Sequence, residues 1–324
     1  MSQRQLLLHR LCESVYFREV RVLHEERLPA TGPVLYLGLH RNGAVDGFLY
    51  HTLLPRANFL IASQLTRSAF GRLFFGGCIE VARAKDGRNG PSGEEAISRS
   101  VEHLRGGGEL VVFPEGTSSL GPSPLPFHRG AARIIAECMT AGIRIAVVPL
   151  GIFYDAPTRF RSGAGIVVGD PIDTDLAESL EGPERVNALH TRIEASLERL
   201  FEEARSFEVS SASRPAIATL LGLGPVVLAG ALANAVPLLA GWGAARRLAD
   251  GPNVISLWKI LVGVPVFVLW AVGVLATSML LGHAAWAALY LAFTHLGLAS
   301  YHRVREAASS LLHARPRQEA LPHA

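Results

Sequence analysis

Two patterns of apolar and polar positions divide the chain. From residue 17 to about residue 207, short apolar runs alternate with longer stretches in which apolar residues recur at helical spacing among charges. Short apolar runs bounded by turn residues read as buried strands, and their alternation with amphipathic helices predicts an α/β fold. The predicted strands are Val34–Leu39, Phe59–Ala62, Ile79–Ala82, Leu110–Phe113, Ile145–Leu150 and Gly165–Val168. The predicted helices are Gly93–Arg105, Gly130–Ala141 and Arg185–Arg205. Ahead of them, Leu6, Leu7, Leu11 and Val15 predict a helix resting that face on protein or bilayer. Its apolar run is too short and too polar for a signal peptide or a membrane span.

The pattern changes at Val209-Ser-Ser-Ala-Ser-Arg-Pro215, a small-residue linker ending in proline. No Asp, Glu, Lys or Arg occurs from Ala216 to Ala245 or from Ile260 to Tyr301, and both runs exceed the roughly 20 residues that cross a bilayer as helix. The second run has 42 residues, room for two crossings with a turn near Leu281-Gly282-His283. The first carries Pro225 and Pro237 and several glycines, which predicts a broken, re-entrant or interfacial segment. Basic residues flank each run: Arg205 and Arg214 before the first, Arg246, Arg247 and Lys259 between them, and Arg303, Arg305, Arg315 and Arg317 after the second. Basic flanks prefer the cytoplasm, so all three are expected there. The expected organisation is an α/β domain over 1–209, a linker at 210–215, a hydrophobic helical membrane domain over 216–301 and a basic tail at 302–324.

Composition narrows the partners. The hydrophobic fraction is 49% and the formal charge only +3, with no basic stripe, so membrane lipid is the expected partner and nucleic acid is not. Lysine occurs only at Lys85 and Lys259 while arginine, alanine and glycine abound, a bias that points to a GC-rich bacterial source. Cys12, Cys78 and Cys138 form no C-x-x-C pair, which suits a reducing cytosolic face. The expected location is the inner (cytoplasmic) membrane, with the α/β domain facing the cytoplasm.

Two blocks carry chemistry. His40 stands at the end of a strand-like run with Asp46 six positions on, and the turn needed to bring them together is supplied by Asn42-Gly43, both tolerant of positive φ. An imidazole can take a proton from an alcohol while a carboxylate on its other nitrogen holds the tautomer. The second block, Val111-Val-Phe-Pro-Glu-Gly-Thr-Ser-Ser119, runs an apolar strand into a carboxylate, a glycine and three hydroxyls, which suit a polyol or, more blandly, a turn and helix cap. Cys78 has no histidine near it in sequence and reads as an inert buried thiol.

In order and spacing these blocks resemble the glycerolipid acyltransferase family over roughly residues 17–175. The family's first motif is a His, four residues and an Asp; His40 and Asp46 have five between them, as in a glycerol-3-phosphate acyltransferase branch. Gly77 to Arg83 looks like the second motif, Phe113-Pro-Glu-Gly116 is the third, and Val147 to Tyr154 is similar to the fourth, with Arg159-Phe-Arg-Ser162 following as in that branch. The resemblance implies a mixed central sheet flanked by helices, with His40 as base, Asp46 as its orienter, and Arg83, Glu115, Gly116, Thr117 and Arg161 around the acceptor. It implies acyl transfer from acyl-CoA or acyl carrier protein to lysophosphatidate or glycerol-3-phosphate, without metal or other cofactor. Many family members continue the third motif Thr-Arg-Ser, whereas this chain has Thr117-Ser118-Ser119, so a cation expected beside the acceptor is missing. His128-Arg129 or Arg161 could supply it. Another lysolipid acceptor, such as a lyso-ornithine lipid, and a non-catalytic lipid-binding protein of the same fold are the alternatives; oligomeric state is not legible.

Overall fold

A computed structural model describes residues 2–82, 91–206 and 216–313. Arg83, Arg214, Arg315, Arg317, the linker at 210–215 and the end of the basic tail lie outside the described residues. The chain divides into two compact units, one of Met1–Glu208 with Ala249–Leu257, the other of Val209–Leu248 with Trp258–Ala324.

The first unit is built on strands β1 (Glu19–Leu23), β2 (Val34–Gly38), β3 (Asn58–Ala62), β4 (Ile79–Val81), β5 (Glu109–Val112), β6 (Ala146–Tyr154) and β7 (Gly163–Val168), in the order β1-β7-β6-β2-β5-β3-β4. All pairings are parallel except β6 with β7, which makes the sheet mixed. β2, β5 and β7 are buried along their length, which is why they read as unbroken apolar runs. The edge strand β1 was not predicted, because Glu19 and Arg21 alternate with Val20 and Val22 and leave no run.

Helices α1 (Gln3–Tyr16), α2 (Ala44–Leu53) and α3 (Ala69–Phe75) pack as one group, and α4 (Gly93–Arg105), α5 (Gly130–Thr140) and α6 (Gly182–Ser206) as another. The α1 helix turns a different face to the protein from its leucine face. It buries Gln5, His9, Cys12 and Tyr16, while Leu7 and Leu11 face outward. The face chosen carries the groups with specific partners: Gln5 donates to the Gly76 carbonyl at 2.9 Å, and His9 meets His51 at 2.9 Å.

The second unit contains α7 (Ala216–Ala233), α8 (Ala235–Leu248), α9 (Ile255–Leu280, from Trp258 on) and α10 (Ala284–His313). Two helical stretches, Ala216–Ala233 and Pro252–Leu280, are long and apolar enough to cross a membrane, and the second begins within the segment that belongs to the first unit. The first apolar run breaks at Asn234 rather than at either proline; Pro225 lies within α7 and Pro237 near the start of α8. The Asn234 amide bonds the Gly230 carbonyl and the Thr294 hydroxyl, each at 2.9 Å, and accepts from the Tyr290 hydroxyl at 2.8 Å. Trp270 donates to the Ala233 carbonyl at 2.8 Å, so backbone opened by the break is satisfied inside the unit. The second run turns at Leu281–His283, with Gly282 at φ +73°. α10 continues to His313, past the point where the apolar pattern ends.

Candidate active site

The site grows from the carboxyl ends of β2 and β5. These strands are adjacent and parallel, with Leu37 opposite Val112, so His40 and Glu115, which follow them, emerge side by side. Glu115 is 2% exposed; one of its oxygens accepts from the His40 amide at 2.7 Å and the other from the Leu125 amide at 2.8 Å. Burial raises its pKa against those two bonds. Its geometry is that of a clamp between two loops.

Beyond His40 the chain turns at Gly43, which has φ +59° and opens α2; Asn42 does not adopt positive φ. The turn sets Asp46 in the first turn of α2, where its Oδ2 lies 2.8 Å from His40 Nδ1. Asp46 is fully buried. The backbone amides of Arg41 and Asn42 donate to the same oxygen at 2.6 and 2.9 Å, and the Tyr154 hydroxyl donates to Oδ1 at 2.5 Å. With Nδ1 turned to the carboxylate, Nε2 is the ring nitrogen left for substrate. The ring stacks on Phe113 at 4.3 Å between centroids, which holds its plane.

Tyr154 reaches Asp46 because β6 runs four residues past Leu150, the partner of Gly38 at the end of β2. Burial, then the Asp46 charge, drives its phenol pKa well above the usual value, so it remains a donor. Nothing in the spacing marks Tyr154 as a partner of Asp46; its one signal is its place at the end of the fourth motif.

His40 lines a cavity of about 810 Å³. Leu65, Phe75 and Ile97 belong to its apolar lining, and Thr117, Ser118, His128 and Arg129 to its polar lining. Gly116 has φ +65°, and a Cβ there would lie 2.9 Å from the His128 ring, so the close approach of this turn to His128 requires glycine. Arg129 is the N-cap residue of α5, where a helix end favours anions. Cys78 also lines the cavity, with its thiol pushed up to about 11 by burial, which suits an inert group.

Of the residues expected around the acceptor, Gly116 and Thr117 line the cavity with His40. Arg161 does not. Its φ is +55° and its guanidinium donates to the Ser14 carbonyl at 2.8 Å and to the Phe17 carbonyl, which caps the carboxyl end of α1. The expectation of Arg161 as an acceptor ligand is corrected accordingly.

Residues 19–153 match the family model described as Acyltransferase. Glycerol-3-phosphate O-acyltransferase 2 of Saccharomyces cerevisiae is 36% identical over 83 residues, covering 25% of this chain and 11% of the relative. Glycerol-3-phosphate O-acyltransferase 1 of the same yeast is 34% identical over 90 residues, 26% of this chain and 12% of the relative. The chain thus matches about an eighth or less of the length of these curated relatives. Among solved structures, the 1-acyl-sn-glycerophosphate (LPA) acyltransferase PlsC of Thermotoga maritima aligns with a TM-score of 0.47 at 18% identity, covering 64% of this chain and 81% of that one.

Proposed function

We propose that this chain, whose residues 19–153 are an acyltransferase domain of the glycerolipid acyltransferase family, moves a fatty acyl group from a CoA or acyl carrier protein thioester to the hydroxyl of lysophosphatidate or glycerol-3-phosphate. The observation that carries the reading is a histidine held by a buried carboxylate at the wall of a cavity with both apolar and polar lining. In this reading His40 Nε2 takes the proton of the acceptor hydroxyl as its oxygen bonds to the thioester carbonyl carbon. Asp46 stabilises the imidazolium that forms. Collapse of the tetrahedral intermediate breaks the carbon–sulfur bond, and the proton held by His40 passes to the departing thiolate. The products are an ester and a free thiol, and no enzyme-bound acyl group is formed.

The apolar lining suits the acyl chain. Arg129, Thr117 and the backbone around Gly116 suit the acceptor headgroup, and Arg83 keeps the phosphate-binding role that the resemblance implies. The two helical stretches long enough to cross a bilayer support attachment to the bacterial inner membrane, with the α/β unit in the cytoplasm where thioester donors are made.

The test is turnover by the full chain in detergent, offered a panel of acceptors with labelled acyl-CoA and acyl carrier protein. Transfer to a phosphate-bearing acceptor is expected, and His40→Ala should lower it by roughly 10²–10⁴-fold with the fold intact. Failure of the wild type to acylate any acceptor, or near-normal turnover by His40→Ala, overturns the reading.

A further inference from the structure

The segment Ala249–Leu257, which leads from α8 into the first turn of α9, belongs to the compact unit that holds His40. It is pinned there at several points. Ser256 is fully buried; its hydroxyl lies 2.9 Å from the Tyr16 hydroxyl and donates to the Pro157 carbonyl at 2.5 Å. The Asn253 carbonyl lies over Gly43, where a Cβ would come within 2.9 Å of it. The Asn253 side-chain amide donates to the Ser118 hydroxyl at 2.6 Å and to the Ser118 carbonyl at 3.2 Å. Asp250, Asn253, Val254 and Leu257 all line the cavity that His40 lines.

Ser118 is the position at which this chain departs from the Thr-Arg-Ser continuation of the third motif. The place is filled by a contact between residues 135 apart in sequence. The same turn is tied to the catalytic residue, because the Ser119 amide donates to the His40 carbonyl at 3.0 Å. One element therefore touches both sides of the polar half of the cavity: the turn before α2 through its backbone, and the Thr117–Ser119 turn through the Asn253 side chain.

We propose that Ala249–Leu257 is a working part of the acceptor side of the catalytic cavity, and that Asn253 is a positioning residue that sets the Thr117–Ser119 turn against His40. This rests on the acyl-transfer reading above. The acceptor headgroup then meets a neutral, hydrogen-bonding wall at Ser118, the position where the resemblance leads one to expect an arginine. The segment has no sequence signature of its own, since it lies between two apolar runs and reads as a connecting loop.

The experiment compares wild type, Asn253→Ala, Asn253→Asp and Ser118→Ala as full chains in detergent, with kcat and both KM values measured. Two lost neutral hydrogen bonds predict an acceptor KM raised about tenfold in Asn253→Ala, with donor KM and kcat within about twofold. Ser118→Ala, which loses only the hydroxyl contact, should show a smaller shift of the same kind. Asn253→Asp places a negative charge at the wall, so the acceptor KM should rise further for phosphate-bearing acceptors, and added salt should shrink that extra rise. A structural role alone moves neither the split nor the salt dependence. Acceptor KM values unchanged in Asn253→Ala and Asn253→Asp, or an equal fall in kcat with every acceptor, overturn the proposal. Hydrogen exchange at residues 117–119 gives a readout independent of turnover: faster exchange there in Asn253→Ala, with α4 unchanged, is expected, and unchanged exchange overturns it. A wild type without acyl transfer but with this exchange response refutes the acyl-transfer reading alone and leaves the segment's hold on the turn standing.

Discussion

Asp46 is a carboxylate with no access to water, bonded by the amides of Arg41 and Asn42 and by Tyr154 as well as by His40. Removing the Tyr154 hydroxyl leaves one oxygen without its donor, so Tyr154→Phe is expected to lower kcat roughly tenfold with acceptor KM little changed, in steady-state assays. A raised KM at constant kcat would place Tyr154 in binding instead. A second buried pair governs stability. His9 and His51 face each other through Nδ1 at 2.9 Å, an arrangement that holds one shared proton and not two. Burial, and for His9 the His51 charge next, lowers their pKa values from 6.5 to about 3 and about 4. The unfolded chain takes up protons on both below about pH 6.5, and the folded chain does not until about pH 4 and below. Stability contributed by the pair is therefore present above pH 6.5 and lost as pH falls toward 4. Thermal unfolding across that range should show the decline, and a His9→Gln, His51→Gln double variant should flatten it. The pairing of His40 with Asp46 was legible in the sequence because a strand end, a turn and a motif coincide there. Tyr154 as a partner of Asp46 was not, because strand overhang brings them together and sequence spacing carries no trace of it.

Among the strands, those carrying an apolar run were the legible ones, β3 and the edge strand β4 included. β2 and β5 read as apolar runs because both of their faces are covered, with Glu109 at the start of β5 paired to Arg56, whereas β1 at the sheet edge alternates with charge and was invisible. α1 was legible as a helix, but the face it turns to the protein was not, because Gln5 and His9 are held inside by specific partners while Leu7 and Leu11 face outward. In the apolar helices, close contact depends on small residues. Gly230 of α7 lies against the α10 backbone, where a Cβ would come within 2.6 Å of the Phe293 carbonyl oxygen, and Gly241 of α8 meets Gly263 of α9 in the same manner. Gly230→Leu must push α7 from α10, at a cost of about 1–3 kcal/mol. Thermal unfolding in detergent should show a lower midpoint, while Gly273→Leu, at a glycine with open space around it, should not.

For the whole molecule, the charge-free runs made the helical unit legible, but not the return of Ala249–Leu257 to the α/β unit, since nine residues between two apolar runs look like a loop. The basic flanks predict that a reporter fused after Arg247 and one at the C-terminus both read cytoplasmic. Opposite sides would mean that α9 and α10 are not a membrane hairpin, and a periplasmic signal at Arg247 alone would make the first run an ordinary span. The break at Asn234 has a further consequence. Its partners Trp270 and Thr294 set its level along α9 and α10, and Trp270 is ten residues, about 15 Å, short of the end of α9 at Leu280. The α7–α8 excursion therefore stops partway along its companion hairpin. On the α8 side of Asn234 the helical unit is four helices wide, and beyond Asn234 only α9 and α10 continue. With the membrane attachment proposed above, such a taper would occupy more area in one leaflet than in the other, which would couple acyl transfer to the lateral packing and curvature of the bilayer.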